Sequence, residues 1–162
     1  MSRLTKMDYT ADFLRGWPNE GALESSTYTI AAGEELEAGD LVVLNSSGEL
    51  IKAAAETNFA GIVVRGNLDD KSVAGPTGGN LAQGPRKAIV LWGGYIVRTT
   101  KIEASVLAGD PMDAVVVSAN GTFVRAADST GFTAADAATM GYVLELIASQ
   151  NGEPASAVIV VK

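Results

Sequence analysis

Residues 38–64 read AGDLVVLNSSGELIKAAAETNFAGIVV, and residues 108–145 begin AGDPMDAVVVSANGTFVRAAD and end MGYVLE. Each stretch contains an apolar run, a short group of turn residues and a second apolar run, which is the pattern of a β-hairpin. A further apolar run that begins with glycine follows each hairpin. The chain therefore carries two related β units, at about residues 38–64 and 108–145.

The two copies align at three places. Ala38-Gly39-Asp40 aligns with Ala108-Gly109-Asp110, residues 45–48 align with 118–121, and residues 61–64 align with 141–144. An aspartate just before a strand accepts hydrogen bonds from nearby backbone N–H groups, so both aspartates are predicted to shape turns rather than to catalyse a reaction. The predicted structural turn residues are Gly39, Asp40, Gly48, Gly109, Asp110, Asn120 and Gly121.

The rest of the chain after residue 27 is also rich in short β-type runs. Two of them meet at Gly93-Gly94, and a glycine-rich loop without periodicity occupies residues 66–87. One short helix is predicted at residues 133–139, and a helical turn is predicted just before the second Ala-Gly-Asp. This pattern predicts a mostly all-β fold, a small β-barrel or sandwich of about ten short strands with one or two short helices.

Residues 1–27 differ from the rest, because their apolar side chains follow no sustained period of two. They are predicted to form an extended N-terminal arm, with a helical turn near residues 8–15, while residues 28–162 form the β-rich domain. The arm either folds back over the domain or becomes ordered on a partner, for example by adding a strand to a sheet edge. Its predicted partner-binding residues are Tyr9, Phe13, Leu14, Trp17, Pro18 and Leu23.

The composition argues against catalysis. The chain has no histidine and no cysteine, and it carries 19 acidic against 12 basic side chains, a formal net charge of −7. Imidazole and thiolate chemistry are thereby excluded, and the negative charge opposes binding to nucleic acid or to an anionic membrane. No apolar run approaches the roughly 18 residues of a transmembrane helix. The chain is predicted not to be an enzyme and to need no cofactor and no metal.

Adjacent carboxylates are candidates for catalytic or metal-binding pairs. They lie at Glu34-Glu35, at Glu37 with Asp40, and at Asp69-Asp70. Neighbouring acids on a strand point to opposite faces, and those in a loop are usually solvated. A glycosidase needs two carboxylates that face each other across a cleft, and a calcium-binding EF-hand needs a spacing that is missing here. These pairs are therefore interpreted as structural.

The chain resembles the head decoration (cement) proteins of tailed bacteriophages. The resemblance is carried by EAGDLVVLNSSGELIKAAAETNFAGIVV at residues 37–64, AIVLWGGYIVRT at 88–99, and LAGDPMDAVVVSANGTFVRA with MGYVLE at 107–145, and it covers most of residues 28–162. It implies a structural virion protein that binds the major capsid protein as a homotrimer, with its arms on neighbouring capsomers. It also implies a location on the outer capsid surface, and in the host cytoplasm during assembly.

Two other functions remain open from the sequence. One is another phage structural role, as a component of the tail, of a fibre or of the shell. The other is a carbohydrate-binding or ligand-binding β-barrel in which Trp92 and Tyr95, on either side of Gly93-Gly94, line the site. For these two aromatic residues, packing in the core or at a barrel end is the competing interpretation.

Overall fold

The computed structural model describes residues 11–16, 26–68, 87–132 and 139–162, and the statements below concern these residues. They form eleven strands, one short α-helix and one 3-10 turn. The strands are β1 Ala11–Gly16, β2 Ser26–Thr29, β3 Leu41–Leu44, β4 Leu50–Lys52, β5 Gly61–Arg65, β6 Lys87–Leu91, β7 Tyr95–Thr99, β8 Ala114–Val117, β9 Phe123–Arg125, β10 Gly141–Ile147 and β11 Ser156–Val161. The helix α1 is Ala104–Leu107, and the 3-10 turn is Ala126–Asp128.

The strands build two antiparallel sheets, which confirms the predicted all-β sandwich. The six-stranded sheet has the order β1-β7-β11-β10-β8-β9, and the five-stranded sheet has the order β2-β6-β5-β3-β4. Every strand pairing in both sheets is antiparallel. The runs on either side of Gly93-Gly94 are strands, as predicted, but β6 and β7 belong to different sheets.

The internal repeat is longer than the sequence indicated, because it includes five strands in each copy. The first unit, β2 to β6, has the sheet order first-fifth-fourth-second-third, and the second unit, β7 to β11, has the same order. Both units have a register shift at corresponding points, between Val63 and Arg65 in β5 and between Val143 and Glu145 in β10. Strand β1 is the one strand that lies outside this duplication.

The hydrogen bonds correct the predicted alignment of the repeat by three residues. Gly39 N–H donates to the Val63 carbonyl, and the corresponding donor to Val143 is Met112. Asp40 Oδ2 accepts from a backbone N–H three residues earlier, and the carboxylate that does the same in the second unit is that of Asp113. Residues 38–40 therefore correspond to 111–113, and not to 108–110.

The two sheets share one large apolar core. Leu41, Ile62 and Leu91 of the first unit join residues of the second unit, among them Val115 and Ile159, in one cluster of buried side chains. A second cluster fills the other face of the first sheet and includes the buried residues Ile30, Leu36, Val42, Leu50, Val63, Ala88 and Val90. The first sheet is therefore buried on both faces, which is why β3, β5 and β6 contain continuous apolar runs rather than alternating ones.

Each unit curls, so that its first strand approaches its third. One isolated parallel bridge joins Ile30, just after β2, to Leu50 in β4, and the corresponding bridge joins Ile102 to Phe123 in β9. A single bridge in each unit is not a continuous ladder, so the described residues form a curled sandwich rather than a closed barrel.

The remaining sequence predictions have different outcomes. The helical turn near residues 8–15 is wrong, because residues 11–16 form β1 and pair with β7. The helical turn before the second Ala-Gly-Asp is confirmed as α1. The proposed boundary at residue 27 falls within β2. Most of the helix predicted at 133–139 and most of the loop predicted at 66–87 lie outside the described residues.

Candidate partner-binding surface

The predicted arm contributes a strand to one edge of the molecule. Phe13 and Leu14 lie in β1, which runs antiparallel to β7 with Ala11 opposite Thr99 and Gly16 opposite Tyr95. Strand β1 is terminal in its sheet, and β7 is the only described strand that pairs with it. The other predicted arm residues, Tyr9, Trp17, Pro18 and Leu23, lie outside the described residues.

In each unit, the segment that follows the first strand runs along the outer edge of the third strand. The third strand is β4 in the first unit and β9 in the second. Beside β4, Ala31 N–H donates to the Leu50 carbonyl at 3.0 Å, and Glu34 Oε2 accepts from Lys52 N–H at 3.1 Å. Beside β9, Glu103 N–H donates to the Phe123 carbonyl at 2.8 Å. These contacts satisfy backbone groups that would otherwise be open to strand pairing.

A buried carboxylate lies where the two units meet. The side chain of Asp40 is 2 % exposed and accepts from Glu37 N–H at 2.9 Å. Lys52 Nζ lies 3.3 Å from Asp40 Oδ2, and Lys101 Nζ, from the second unit, lies 3.1 Å from Oδ1. Burial by itself lowers the pKa of Lys101, but its hydrogen bond to Glu37 and the charge of Asp40 outweigh that effect and raise this pKa above its usual value.

The carboxylates of Glu56 and Glu103 accept hydrogen bonds from loops. Neither residue was predicted from the sequence. Glu56 accepts from Thr130 N–H at 3.1 Å, from Thr130 Oγ1 at 3.0 Å and from Ser129 Oγ at 2.9 Å. Glu103 accepts from Thr122 Oγ1 at 2.7 Å and also receives hydrogen bonds from Ser118 and Asn120.

These hydrogen bonds stabilise the charged carboxylates. The backbone N–H of Thr130 is the main cause of the lowered pKa of Glu56, and the Thr122 hydroxyl is the main cause for Glu103. Both glutamates bond to residues fifteen or more positions away, and no local spacing rule reveals such a contact.

The candidate aromatic residues lie in two different environments. Tyr95 is buried in the shared core, and burial raises its pKa far above the usual value, so its ring does not line a solvent-facing site. Trp92 is half-buried, stacks on Phe59 with 5.7 Å between ring centroids, and meets Tyr28 edge-on at 5.6 Å. Phe59 is 62 % exposed, so this aromatic cluster reaches the surface.

The predicted turn residues lie in tight connections. Gly39, Gly48 and Gly121 have positive φ angles of 93°, 76° and 69°, which favour glycine. Asn120 lies in the β8–β9 turn next to Gly121, and its N–H donates to Ser118 Oγ. Gly109 and Asp110 lie between α1 and β8. There the backbone N–H of Asp110 donates a hydrogen bond to the carboxylate of Asp113.

Large apolar side chains are exposed at five described positions. They are Leu44, Phe59, Leu107, Met112 and Leu144. Met112 is 66 % exposed and has a positive φ of 73°, which is unusual for a residue with a side chain. The structural counterpart of Met112 is the buried Gly39, and this pairing was hidden by the incorrect sequence alignment.

The described residues contain no group of three or more histidine, cysteine, aspartate or glutamate side chains placed to hold a metal ion. None of their helices has the length and apolar character that crossing a bilayer requires. The described residues offer terminal strand edges and an aromatic cluster that reaches the surface at Phe59, which are features of protein–protein contact. No protein-family model matches the chain, and no curated protein matches it.

Proposed function

We propose that this protein decorates and stabilises the capsid of a tailed bacteriophage by binding the major capsid protein on the outer surface of the shell. The observation that carries the proposal is the position of β1, because the arm predicted to bind a partner supplies a terminal strand with a single described neighbour. A terminal strand presents a row of backbone groups to another chain, and strand addition is a common mode of protein recognition.

The duplicated sandwich suits a mechanical role. Both units have the same strand order and the same bulge, and the buried ion cluster at Asp40 links them through Lys101. Glu56 and Glu103 hold loops that lie far from them in the sequence. A body constrained in this way transmits load with little internal movement.

The proposed assembly is a homotrimer whose three arms reach neighbouring capsomers. Each contact between an arm and the capsid can be weak, because three linked contacts gain roughly 10²–10⁴ in avidity over one. The acidic net charge of −7 keeps the unattached protein soluble in the host cytoplasm during assembly. No nucleic acid and no membrane takes part in this proposal.

The test is attachment to undecorated mature heads, measured by sedimentation and by electron microscopy of the particles. We expect saturable, stoichiometric attachment of the full chain and a trimer by mass measurement in solution. The substitutions Tyr9→Ala and Trp17→Ala together should weaken attachment by at least about tenfold, since they remove two of the aromatic side chains through which the arm is proposed to bind.

Met112→Ala is the matched control, because it removes an apolar side chain that is 66 % exposed and lies outside the arm. It should attach as the unchanged protein does. Full attachment by the doubly substituted arm variant would rule out the role of the arm. A complete lack of attachment by the unchanged protein would rule out the proposed function.

A further inference from the structure

Strand β2 has an open outer edge among the described residues. Residues Ser26–Thr29 pair with β6 on one side, with Tyr28 opposite Ala88 and Thr27 opposite Ile89. On the other side no described strand pairs with β2, which is terminal in the five-stranded sheet.

The internal duplication shows what such an edge accommodates. Strand β7 occupies in the second unit the place that β2 occupies in the first, and the register makes Arg98 the counterpart of Thr27. The corresponding edge of β7 is covered by β1, which runs antiparallel to it over residues 11–16. Within the part of the chain that the structure describes, there are therefore two equivalent acceptor edges and one strand, β1, that covers either of them.

The composition of β2 also sets it apart from the other terminal strands. Its sequence is STYT, which has neither charge nor proline, whereas β1 contains Asp12 and Arg15, β4 ends in Lys52, and β9 ends in Arg125. Charged residues and proline are the usual protection of an edge strand against pairing with another chain. Strand β2 has no such protection, and threonine and tyrosine favour the β conformation.

An aromatic cluster begins in this edge strand and extends inward across the sheet to the surface. The Tyr28 ring in β2 meets Trp92, and Trp92 stacks on Phe59, whose side chain is 62 % exposed. A strand added next to β2 would gain backbone hydrogen bonds and would lie beside the Tyr28 side chain. Strand addition obtains affinity from backbone hydrogen bonds and specificity from contacts with alternate side chains.

We propose that the outer edge of β2 accepts an extended, antiparallel segment of the shell protein, in the way that β7 accepts β1. This inference rests on the proposed function and adds a second place, besides the arm, where the shell protein binds this chain. The segment comes from a different protein because the β1 of each copy already covers its own β7, and moving it to a neighbour would expose that edge.

The probe is a fluorescent synthetic peptide with the sequence of residues 9–18, YTADFLRGWP, since its central part is the strand that fits the equivalent edge. Fluorescence anisotropy with the full-length protein should show saturable binding. Thr27 is exposed, so Thr27→Lys and Thr27→Glu keep the fold and place a charge on the edge. Each variant should weaken binding at least about tenfold.

Ser46→Lys is the matched control, because Ser46 is exposed in the β3–β4 turn and the change in charge is that of Thr27→Lys. It should bind the peptide as the unchanged protein does, and circular dichroism should show the same spectrum for all variants. If Thr27→Lys and Thr27→Glu weaken peptide binding equally, the added charge blocks the edge of β2. If only one of the two variants weakens peptide binding, simple charge attraction explains the effect, and the proposal is overturned.

Peptide binding that ignores Thr27→Lys would place the peptide elsewhere, for example on β7, and would overturn the proposal. Self-association of the chain that Thr27→Lys abolishes would make a second copy the occupant, and would overturn it as well. Attachment of the unchanged protein to heads is a separate measurement. If Thr27→Lys attaches to heads as well as Ser46→Lys does, the inference fails while the proposed function stands.

Discussion

The two units contain the same turn in different surroundings. In the first unit Asp40 is 2 % exposed and has two lysine partners, whereas in the second unit the side chain of Asp113 is 31 % exposed and has Arg125 at 3.5 Å. Lys52 and Arg125 occupy equivalent positions, but Lys101 reaches Asp40 from the other unit. Duplication thus copied the local turn, and packing of the units against each other made one copy part of an interface.

The largest expected difference between the units follows from this contrast. Asp40→Ala should lower the free energy of unfolding by about 3 kcal/mol, because it leaves two ammonium groups without a buried carboxylate. Asp113→Ala should lower it by about 1 kcal/mol, since the exposed pair contributes little beyond the hydrogen bond to the Asp110 N–H. Urea denaturation of both variants gives the two values.

Asp110→Ala is the control that separates the two alignments of the repeat. The side chain of Asp110 is exposed, so its loss should change the unfolding free energy by less than about 0.5 kcal/mol. A loss as large as that of Asp113→Ala would contradict the structural alignment.

The glycines that open β5 and β10 provide a second comparison. A Cβ at Gly141 would overlap the carbonyl oxygen of Val160, whereas a Cβ at Gly61 would overlap the Cγ1 atom of the Val90 side chain. Backbone moves less readily than a side chain, so Gly141→Ala should cost about 2 kcal/mol and Gly61→Ala about 1 kcal/mol. Thermal unfolding measures both, and the reverse order would contradict this reasoning.

A third comparison concerns Gly39 and Met112, which have φ angles of 93° and 73°. This backbone conformation destabilises the folded state by about 1–2 kcal/mol for an L-residue but not for glycine. Glycine also makes the unfolded chain more flexible, which offsets part of the stability gained by the substitution. Met112→Gly should therefore stabilise the protein by about 0.5 kcal/mol, measured by urea denaturation. Met112→Ala keeps the unfavourable φ and should not stabilise it; equal stabilisation by both variants would assign the effect to the exposed side chain.

The smallest expected effect is a dependence on pH. Glu103 is held by the side chains of the β8–β9 turn, and the Thr122 hydroxyl is the main reason that its pKa lies below the ordinary 4.5. A lowered pKa in the folded state adds stability above the ordinary pKa, and this stability is lost as the pH falls through the folded pKa. Glu103→Gln should therefore be less stable at pH 7 and lose less stability on acidification.

The measurement is the urea midpoint between pH 7 and pH 3. Glu145→Gln is the control, because Glu145 is exposed on β10, and its profile should follow that of the unchanged protein. If Glu103→Gln loses as much stability in acid as the unchanged protein, Glu103 is not a source of the pH dependence.

The sequence predicted local structure well because local structure has local causes. The turns at Asn45 and at Asn120 were identified from residues that favour chain reversal, and the apolar runs beside them are β3, β4, β8 and β9. The predicted alignment of the repeat was wrong at Ala108-Gly109-Asp110, because it matched identical residues and did not take the strand register into account. Hydrogen bonds to Val143 set that register, and they select Met112 and Asp113 instead.

Contacts between distant parts of the chain were not predictable from these patterns. A period of two marks a strand but does not name its neighbour, so the separation of β6 and β7 into different sheets went unseen. The arm lacked such a period, and its central strand was missed because pairing with β7 imposes the extended conformation. The Glu56 and Glu103 contacts arise for the same reason, from loops that meet only in the folded chain.

The amino-acid sequence by itself determined that this protein is a duplicated β structure with tight polar turns and no imidazole or thiol chemistry, because strand propensity and turn formation act between neighbouring residues. Only the tertiary structure decided which strands are terminal, which copy of the aspartate is buried and which edge β1 covers. These features depend on packing between residues far apart in the chain, where burial and shape rather than local preference set the free energy.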